Sequence, residues 1–256
     1  MDALLTLVSP PMLAIAFAVA ALAGMVKGMV GFAMPMIMIS GLGSVVSPEL
    51  ALAGLILPTL ATNAFQAFGE GPGAAWETVK RFKVFLIVAF VMLALSAQLV
   101  RVLPVQVLLA MIGGPVFVFC LMQLAGWRPN LPNGPTPRIE AAVGGVAGFI
   151  GGMSGVWGPP FVAYLTAIGT EKRDQIRVQG VAYGLGAISL TVAHWVSGVF
   201  NAQTAPFSLA MLVPAMGGMW LGRRIHDRID QAMFRKLTLI VLLVAALNLL
   251  RRAFFG

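Results

Sequence analysis

The sequence contains little that could carry redox or catalytic chemistry. Only 10% of its 256 residues are charged, and its single cysteine, Cys120, lies inside an apolar run. One cysteine excludes an intrachain disulfide and a cysteine metal cluster. Metal-ligand spacings, nucleophile elbows and phosphate-binding Gly-Lys-Ser/Thr loops are also missing from the sequence. We therefore expect no enzyme, no catalytic residues, no metal site and no cofactor.

Carboxylates are missing from the apolar segments in particular. All nine Asp and Glu residues lie in predicted loops or at segment ends. A proton-coupled or cation-selective pathway usually keeps an acidic residue at membrane depth, because a buried anion stabilises a desolvated cation. The ionisable groups well inside apolar runs are instead Lys27 and His194, which can both be cationic. The interior therefore favours an anion.

The overall composition is that of an integral membrane protein. Hydrophobic residues make up 59% of the chain and the mean hydropathy is +0.92, whereas soluble domains are roughly 45–50% apolar. The net charge of +8 could suggest nucleic acid, but the basic residues lie in short loops that flank apolar segments. We expect one membrane domain over residues 1–256, in contact with the lipid bilayer and with no nucleic-acid partner.

Ten charge-poor apolar segments predict an all-α fold with 8–10 transmembrane segments. A helix needs about 20 apolar residues to cross a hydrocarbon core of roughly 30 Å, and shorter runs are more typical of re-entrant segments. The second and seventh segments are the short ones. The segments are 11–32, 33–46, 49–68, 82–100, 105–125, 139–156, 159–169, 178–200, 205–222 and 237–250.

A motif rich in glycine and proline occurs twice, as AGMVKGMVGFAMP from Ala23 and as AGFIGGMSGVWGP from Ala147, at an offset of 124. Glycine and proline let the backbone leave helical geometry, and inside a bilayer such backbone must be buried in protein or face a cavity. Interrupted segments in both halves of a chain point to a transporter's binding site. Close helix packing is the commoner use of membrane glycines, and this alternative stays open.

The duplication divides the chain into a first repeat (1–126), a linker (127–138) and a second repeat (139–256). If each motif forms a hairpin that returns to the side it entered, thirteen of the seventeen Lys and Arg residues fall on one face and three on the other. The positive-inside rule makes the first face cytoplasmic. This arrangement predicts two inverted repeats with paired broken or re-entrant hairpins, and both termini outside the cytoplasm.

Lys27, at the first break, is the candidate charge for an anion. A lysine at the bilayer centre costs roughly 2.5–3.5 kcal/mol, so it needs a partner or a cavity; the alternative is that it snorkels to the headgroups. Polar residues at helical spacing add hydrogen-bond donors, although such faces commonly serve interhelical bonding. The predicted substrate-binding residues are Lys27, Gly28, Gly31, Phe32, Asn63, Gln66, Gly152, Ser154, Gly155, Trp157, Gln179 and Tyr183.

The order of these motifs resembles the sulfite exporter TauE/SafE family of membrane permeases. The likeness lies in AGMVKGMVGFAMP, the Ser-Pro-Glu-Leu-Ala turn into LPTLATN, and their degenerate repetition after the linker. The resemblance implies a transporter of a small sulfur-containing or organic anion, such as sulfite, thiosulfate, taurine or sulfoacetate, in the bacterial inner membrane. The sequence leaves open whether the protein is a homodimer.

The leading hypothesis is a permease in which two hairpins bind the anion between them at mid-membrane. The half-helix N-termini near Ala33 and Pro159 would direct partial positive charge at the anion. Two alternatives remain at this point. One is a permease for another small metabolite coupled to Na⁺ or H⁺, and the other is a membrane scaffold subunit that transports nothing.

Overall fold

The computed structural model describes residues 8–97, 104–127, 136–154 and 158–255, and within these ranges every regular element is a helix. We number the helices in chain order. They are α1 (Pro10–Val30), α2 (Met34–Leu42), α3 (Pro48–Phe68), α4 (Pro72–Arg81), α5 (Lys83–Ala97), α6 (Val105–Leu124), α7 (Pro137–Ser154), α8 (Gly158–Ala167), α9 (Lys172–Val196), α10 (Ala205–Arg228) and α11 (Gln231–Phe255).

The all-helical membrane fold predicted from the sequence is confirmed. Among the described residues, five helices are long and apolar enough to cross a membrane, namely α1, α3, α9, α10 and α11, and α5 is a shorter apolar helix. The protein is therefore a multi-pass membrane protein. The two segments predicted to be short, α2 and α8, have 9 and 10 residues. Most of the linker, residues 128–135, lies outside the described residues.

Two helical features differ from the segments read off the sequence. Helix α9 begins at Lys172, because a charged turn that includes Asp174 continues into the apolar run. Helix α4 forms in what was predicted as a loop, and it carries Lys80 and Arg81 in its last turn. Searching for uncharged runs misses both, since a charged helical turn has the same composition as a polar loop.

The helices form two compact units, each of which combines parts of both repeats. The first unit is Met1–Ala75 with Ile176–Asp230, and the second is Trp76–Gln175 with Gln231–Gly256. Helices α1, α2, α3 and α10 and nearly all of α9 belong to the first unit. Helices α5, α6, α7, α8 and α11 belong to the second.

In the first unit, α1, α3 and α10 run parallel and α9 runs opposite to them. A Cβ added at Gly24 would meet the backbone of α10 at Ala215, and one added at Gly28 would meet it at Met219. A step of four residues along α1 thus corresponds to a step of four residues in the same direction along α10, so the two helices are parallel. Helix α9 starts where the other three end, since its Gly180 faces Ala67 near the end of α3. All four helices thus share one end that carries the basic residues Arg177, Arg223, Arg224 and Arg228.

Helices α1 and α2 form a hairpin that returns toward the end it entered. Gly31 and Ala33 adopt left-handed backbone conformations, with φ of 91° and 73°, and reverse the chain. At the far end of α2, Gly41 lies against Val19 of α1. The apolar face of α2 then completes a core of Met34, Met38, Leu42, Ala16, Ala20, Ala23, Leu55, Phe207 and Met211.

Helix α3 is fixed to α10 at an internal proline. Pro58 interrupts the helical hydrogen-bond ladder, since proline has no N–H to donate. Next to this proline, the N–H of Leu57 donates a hydrogen bond to Ser208 Oγ at 3.1 Å. The buried Ser208 therefore joins α3 to α10 in the middle of the first unit.

In the second unit, α7 packs closely against α5. A Cβ at Gly144 or at Gly148 would meet the backbone oxygen of Phe85 or Ala89. The Phe85 ring stacks on Phe161 of α8, with centroids 4.1 Å apart. Glycine is needed on α7 because a side chain at either position would hold the two backbones apart.

Candidate functional site

Lys27 lies in the last turn of α1 and is buried inside the first unit. Only 1% of the residue is exposed, and its ammonium group donates a hydrogen bond to Asn63 Oδ1 on α3. Over the described part of the chain, no carboxylate forms an ion pair with it. The side chain therefore does not snorkel to a helix end, and its positive charge has a neutral amide as partner.

Helix α3 presents a stripe of buried polar groups to Lys27. Asn63 is 0% exposed, and both Thr59 and Gln66 are 6% exposed. Three of their atoms have no hydrogen-bond partner, namely Thr59 Oγ1, Asn63 Nδ2 and Gln66 Oε1. Thr62 differs, because its hydroxyl donates to the carbonyl of Pro58 at 2.6 Å. A buried polar atom without a partner costs about 1–3 kcal/mol, so this stripe is a candidate for ligand binding.

Two glutamines donate to backbone oxygens where α1 ends, although the Lys27 oxygen also accepts from the Gly31 N–H at 2.7 Å. Gln66 Nε2 lies 3.3 Å from the Gly31 oxygen and 3.4 Å from the Lys27 oxygen. Gln179 of α9, with its amide nitrogen turned toward α1, donates to the same Gly31 oxygen at 2.9 Å. Carbonyls at a helix end need such partners when water is excluded. Both glutamines therefore hold the broken backbone in place.

The predicted glycines of the first motif have different local roles. Gly28 faces Met219 and lets α1 approach α10, which is the packing alternative. Gly31 has the positive φ that turns the chain, and it lies against Gln179. Phe32 is buried, with 3% of the residue exposed. Tyr183 is half-buried on α9. Its neighbour Gly184 faces α3, since a Cβ added there would lie 3.7 Å from Asn63 Cβ.

The tip of the hairpin lies close to the basic end of the first unit, and the prediction that an anion binds at mid-membrane stays a prediction. The Gly31 oxygen at the tip lies 3.3 Å from Gln66 Nε2, and Gln66 is two residues before the end of α3, about 3 Å at the rise of an α-helix. Arg177 forms an ion pair with Glu70 just beyond that end. Helix α1 reaches this depth because it stays helical through Lys27 and Gly28 to Val30.

The second motif cannot be compared atom by atom with the first. Gly155 and Trp157 lie outside the described residues. Gly152 and Ser154 belong to the last turn of α7, and the Ser154 side chain is likewise outside the description. The two hairpins belong to separate units, so the prediction that both motifs bind one anion stays a prediction.

His226 is a buried contact that the sequence analysis missed. The residue is 3% exposed, and its Nδ1 lies 3.2 Å from the Met29 oxygen of α1. Its neighbours in sequence are charged, which is typical of a solvated segment. The spacing could have indicated this burial, because Gly218, Gly222 and His226 recur every four residues and therefore lie on one helix face.

Most of the chain matches a known protein family. Residues 16–249 match the family described as "Sulfite exporter TauE/SafE". The chain belongs to the TauE/SafE family. The match includes the hairpin, Lys27 and all of α3, and TauE/SafE is a family of membrane transporters rather than of enzymes. No curated protein and no solved structure gave a match.

Proposed function

We propose that the protein is a permease for a small anion, either a sulfur-containing oxyanion or an organosulfonate, which binds beside Lys27 in the first unit. One observation carries the proposal: among the residues that the structure describes, a fully buried ammonium group has only an amide as partner, next to amide and hydroxyl groups that have none. A buried charge without a counter-ion is strongly destabilising, and a bound anion would remove that cost.

The groups at the site suit an oxyanion. The ammonium of Lys27 has three N–H donors, of which Asn63 Oδ1 takes one. Asn63 Nδ2 and the Thr59 hydroxyl add donors with no other partner. Hydrogen bonds to a charged group are shorter and about twice as strong as neutral ones. A cluster of donors around one cation therefore favours a ligand with several negatively charged oxygens.

The basic end of the first unit would attract such a ligand. Arg223 lies over the Phe65 ring at 5.1 Å, close to where α3 ends. Positive potential at an entrance raises the local concentration of anions. We place this end in the cytoplasm by the positive-inside rule, with both termini on the other side of a bacterial inner membrane. Alternating access between the two sides, through inverted repeats, is the transport mechanism we propose.

The alternative of a Na⁺-coupled carrier has less support. A cation site at a helix break uses unwound carbonyl oxygens, but here the Gly31 and Lys27 oxygens already accept from glutamine side chains. A positive charge beside them also repels a cation. For the scaffold alternative, the described residues offer no specific supporting feature.

Transport assays in liposomes would test the proposal. Purified protein would be reconstituted and given sulfite, thiosulfate, taurine or sulfoacetate under an imposed potential. We expect flux of at least one anion, and its loss in Lys27→Met. The matched control is Lys236→Met, which removes an exposed lysine. If none of the four moves and a stoichiometric partner co-purifies, the scaffold alternative holds.

The proposed orientation can be tested with single cysteines in a Cys120→Ser background. Gly73 follows the end of α3, and Gln203 lies between α9 and α10 at the opposite end of the first unit. An impermeant thiol reagent applied from outside should label a cysteine at position 203 and not one at position 73. Labelling of both positions from one side would refute the orientation.

A further inference from the structure

We propose, resting on the function above, that the ligand is an anion that also donates a hydrogen bond, and that Gln66 Oε1 accepts it. Three buried atoms on one stripe of α3 have no partner: Thr59 Oγ1, Asn63 Nδ2 and Gln66 Oε1. The first two can donate to an anion. The third is purely an acceptor, and an anion with no hydrogen to donate would leave it unsatisfied.

The orientation of the Gln66 amide is set by its surroundings. Its nitrogen faces two backbone oxygens, those of Lys27 and Gly31. Exchanging oxygen and nitrogen would bring the carbonyl oxygen against these acceptors and lose both hydrogen bonds. Gln66 Oε1 is therefore held away from α1 as an acceptor.

The orientation of Asn63 is set in the same way. Its Oδ1 accepts from the Lys27 ammonium, so Nδ2 is left as the donor. Asn63 and Gln66 are three residues apart on one face of α3, a rise of about 4.5 Å. The site thus has the Asn63 donor and the positive charge at one level and an acceptor about one turn closer to the basic end, with the Thr59 hydroxyl about one turn in the opposite direction.

A ligand that satisfies both levels has an anionic head and a hydroxyl or ammonium group about one helical turn away. A two-carbon sulfonate that carries a hydroxyl group, isethionate, has this form. Ethanesulfonate has the same charge and head but no donor. The pair differs in the one group that Gln66 Oε1 would bind.

Calorimetry on the purified protein in detergent, with isethionate and ethanesulfonate as probes, tests the inference. We expect isethionate to bind about 3- to 10-fold more tightly, which is the range of one neutral hydrogen bond. In Gln66→Met the two affinities should become equal. The control Gln123→Met removes a buried glutamine of α6 in the second unit and should keep the preference for isethionate.

The outcomes separate this inference from the proposed function. Equal binding of both sulfonates by the wild-type protein, lost in Lys27→Met, would overturn the inference and leave the anion site in place. If neither probe binds, the inference fails, and the flux assay with sulfite, thiosulfate, taurine and sulfoacetate decides the proposed function. If Lys27→Met binds both probes as the wild type does, both proposals fail. A preference for isethionate that persists in Gln66→Met would assign the acceptor to another residue and overturn the role of Gln66.

Discussion

The two units use the same contact to pack one helix of each repeat against its partner. In the first unit Gly24 of α1 lies against the Ala215 oxygen of α10, and in the second unit Gly148 of α7 lies against the Ala89 oxygen of α5. The glycines are 124 residues apart and the alanines 126. The duplicated motif thus preserves a backbone-to-backbone contact, which requires glycine because no side chain fits between the helices.

The units differ in what surrounds this contact. In the first unit α10 also carries a glycine at the contact, Gly222, which faces the Met25 oxygen. Its counterpart in the second unit, 126 residues earlier, is Ser96 of α5. In the second unit, Ser96 Oγ lies 3.4 Å from the Gly148 oxygen. Lys27 has Gly151 as its counterpart at the offset of 124. Packing is therefore common to both copies, and the charge belongs to one.

The largest effect should come from filling the shared contact. Gly24→Ala and Gly148→Ala each place a Cβ against a backbone oxygen, and overpacking of this kind costs about 1–3 kcal/mol. Both variants should unfold at clearly lower temperature in detergent. The matched controls are Gly217→Ala, which has open space, and Gly145→Ala, whose nearest neighbour is 3.8 Å away. Wild-type stability in one of the two variants would break the equivalence of the units.

The next largest effect concerns the charge found in one unit only. Lys27→Met should weaken anion binding about 10- to 150-fold, because a charge-assisted hydrogen bond contributes about 1.5–3 kcal/mol. Lys27→Arg keeps the charge with a larger, planar group and should be intermediate. Calorimetry on the three proteins measures this, and unchanged affinity in Lys27→Met would remove the residue from the site.

Stability should respond differently from binding at the same position. Lys27→Met leaves Asn63 Oδ1 without its donor, and a buried acceptor left unsatisfied costs about 1–3 kcal/mol. The double variant Lys27→Met with Asn63→Leu removes both polar groups and should unfold at higher temperature than Lys27→Met alone. The opposite order of melting temperatures would mean that Asn63 finds another partner.

Exchanging the residues that differ should give one small loss of stability and one large loss. Ser96→Gly should cost about 0.5–1 kcal/mol, the ordinary penalty of glycine inside a helix, since its hydrogen bond to Gly148 is long. Gly222→Ser should cost more, because its Cβ would meet the Met25 oxygen. Thermal unfolding of both variants gives the order, and equal losses would show that the two positions are packed alike.

The smallest effect is expected at the ion pairs. Arg177 pairs with Glu70 in the first unit with 18% of its side chain exposed, whereas Arg81 pairs with Asp174 in the second at 3.7 Å with 60% exposed. Exposed pairs contribute about 0–1 kcal/mol. Glu70→Gln should therefore lower stability slightly, and Asp174→Asn should not measurably change it. A larger loss in Asp174→Asn would reverse this ranking.

Apolar runs and the glycine–proline motifs were sufficient to predict the helical membrane fold and the hairpin. They also placed Lys27, Asn63, Gln66 and Gln179 among the candidate residues, because polar groups in an apolar segment need partners. The sequence could not show that Gln66 and Gln179 bind backbone oxygens, since that depends on how α3 and α9 meet the end of α1. The burial of His226 was missed because its neighbours are charged, although the residue continues the glycine face of α10.

The contact between α1 and α10 also sets an order of events during synthesis. At about 5–20 residues per second, Asn63 follows Lys27 within about 2–7 s, whereas Ala215 follows Gly24 only after about 10–40 s. The amide partner of Lys27 is therefore synthesised early. The glycine face of α1 has no partner helix until α10 is synthesised, and until then it lies in the bilayer or beside the insertion machinery. In the second unit α5 precedes α7 by far fewer residues, so its matching pair can form while α10 is still unmade.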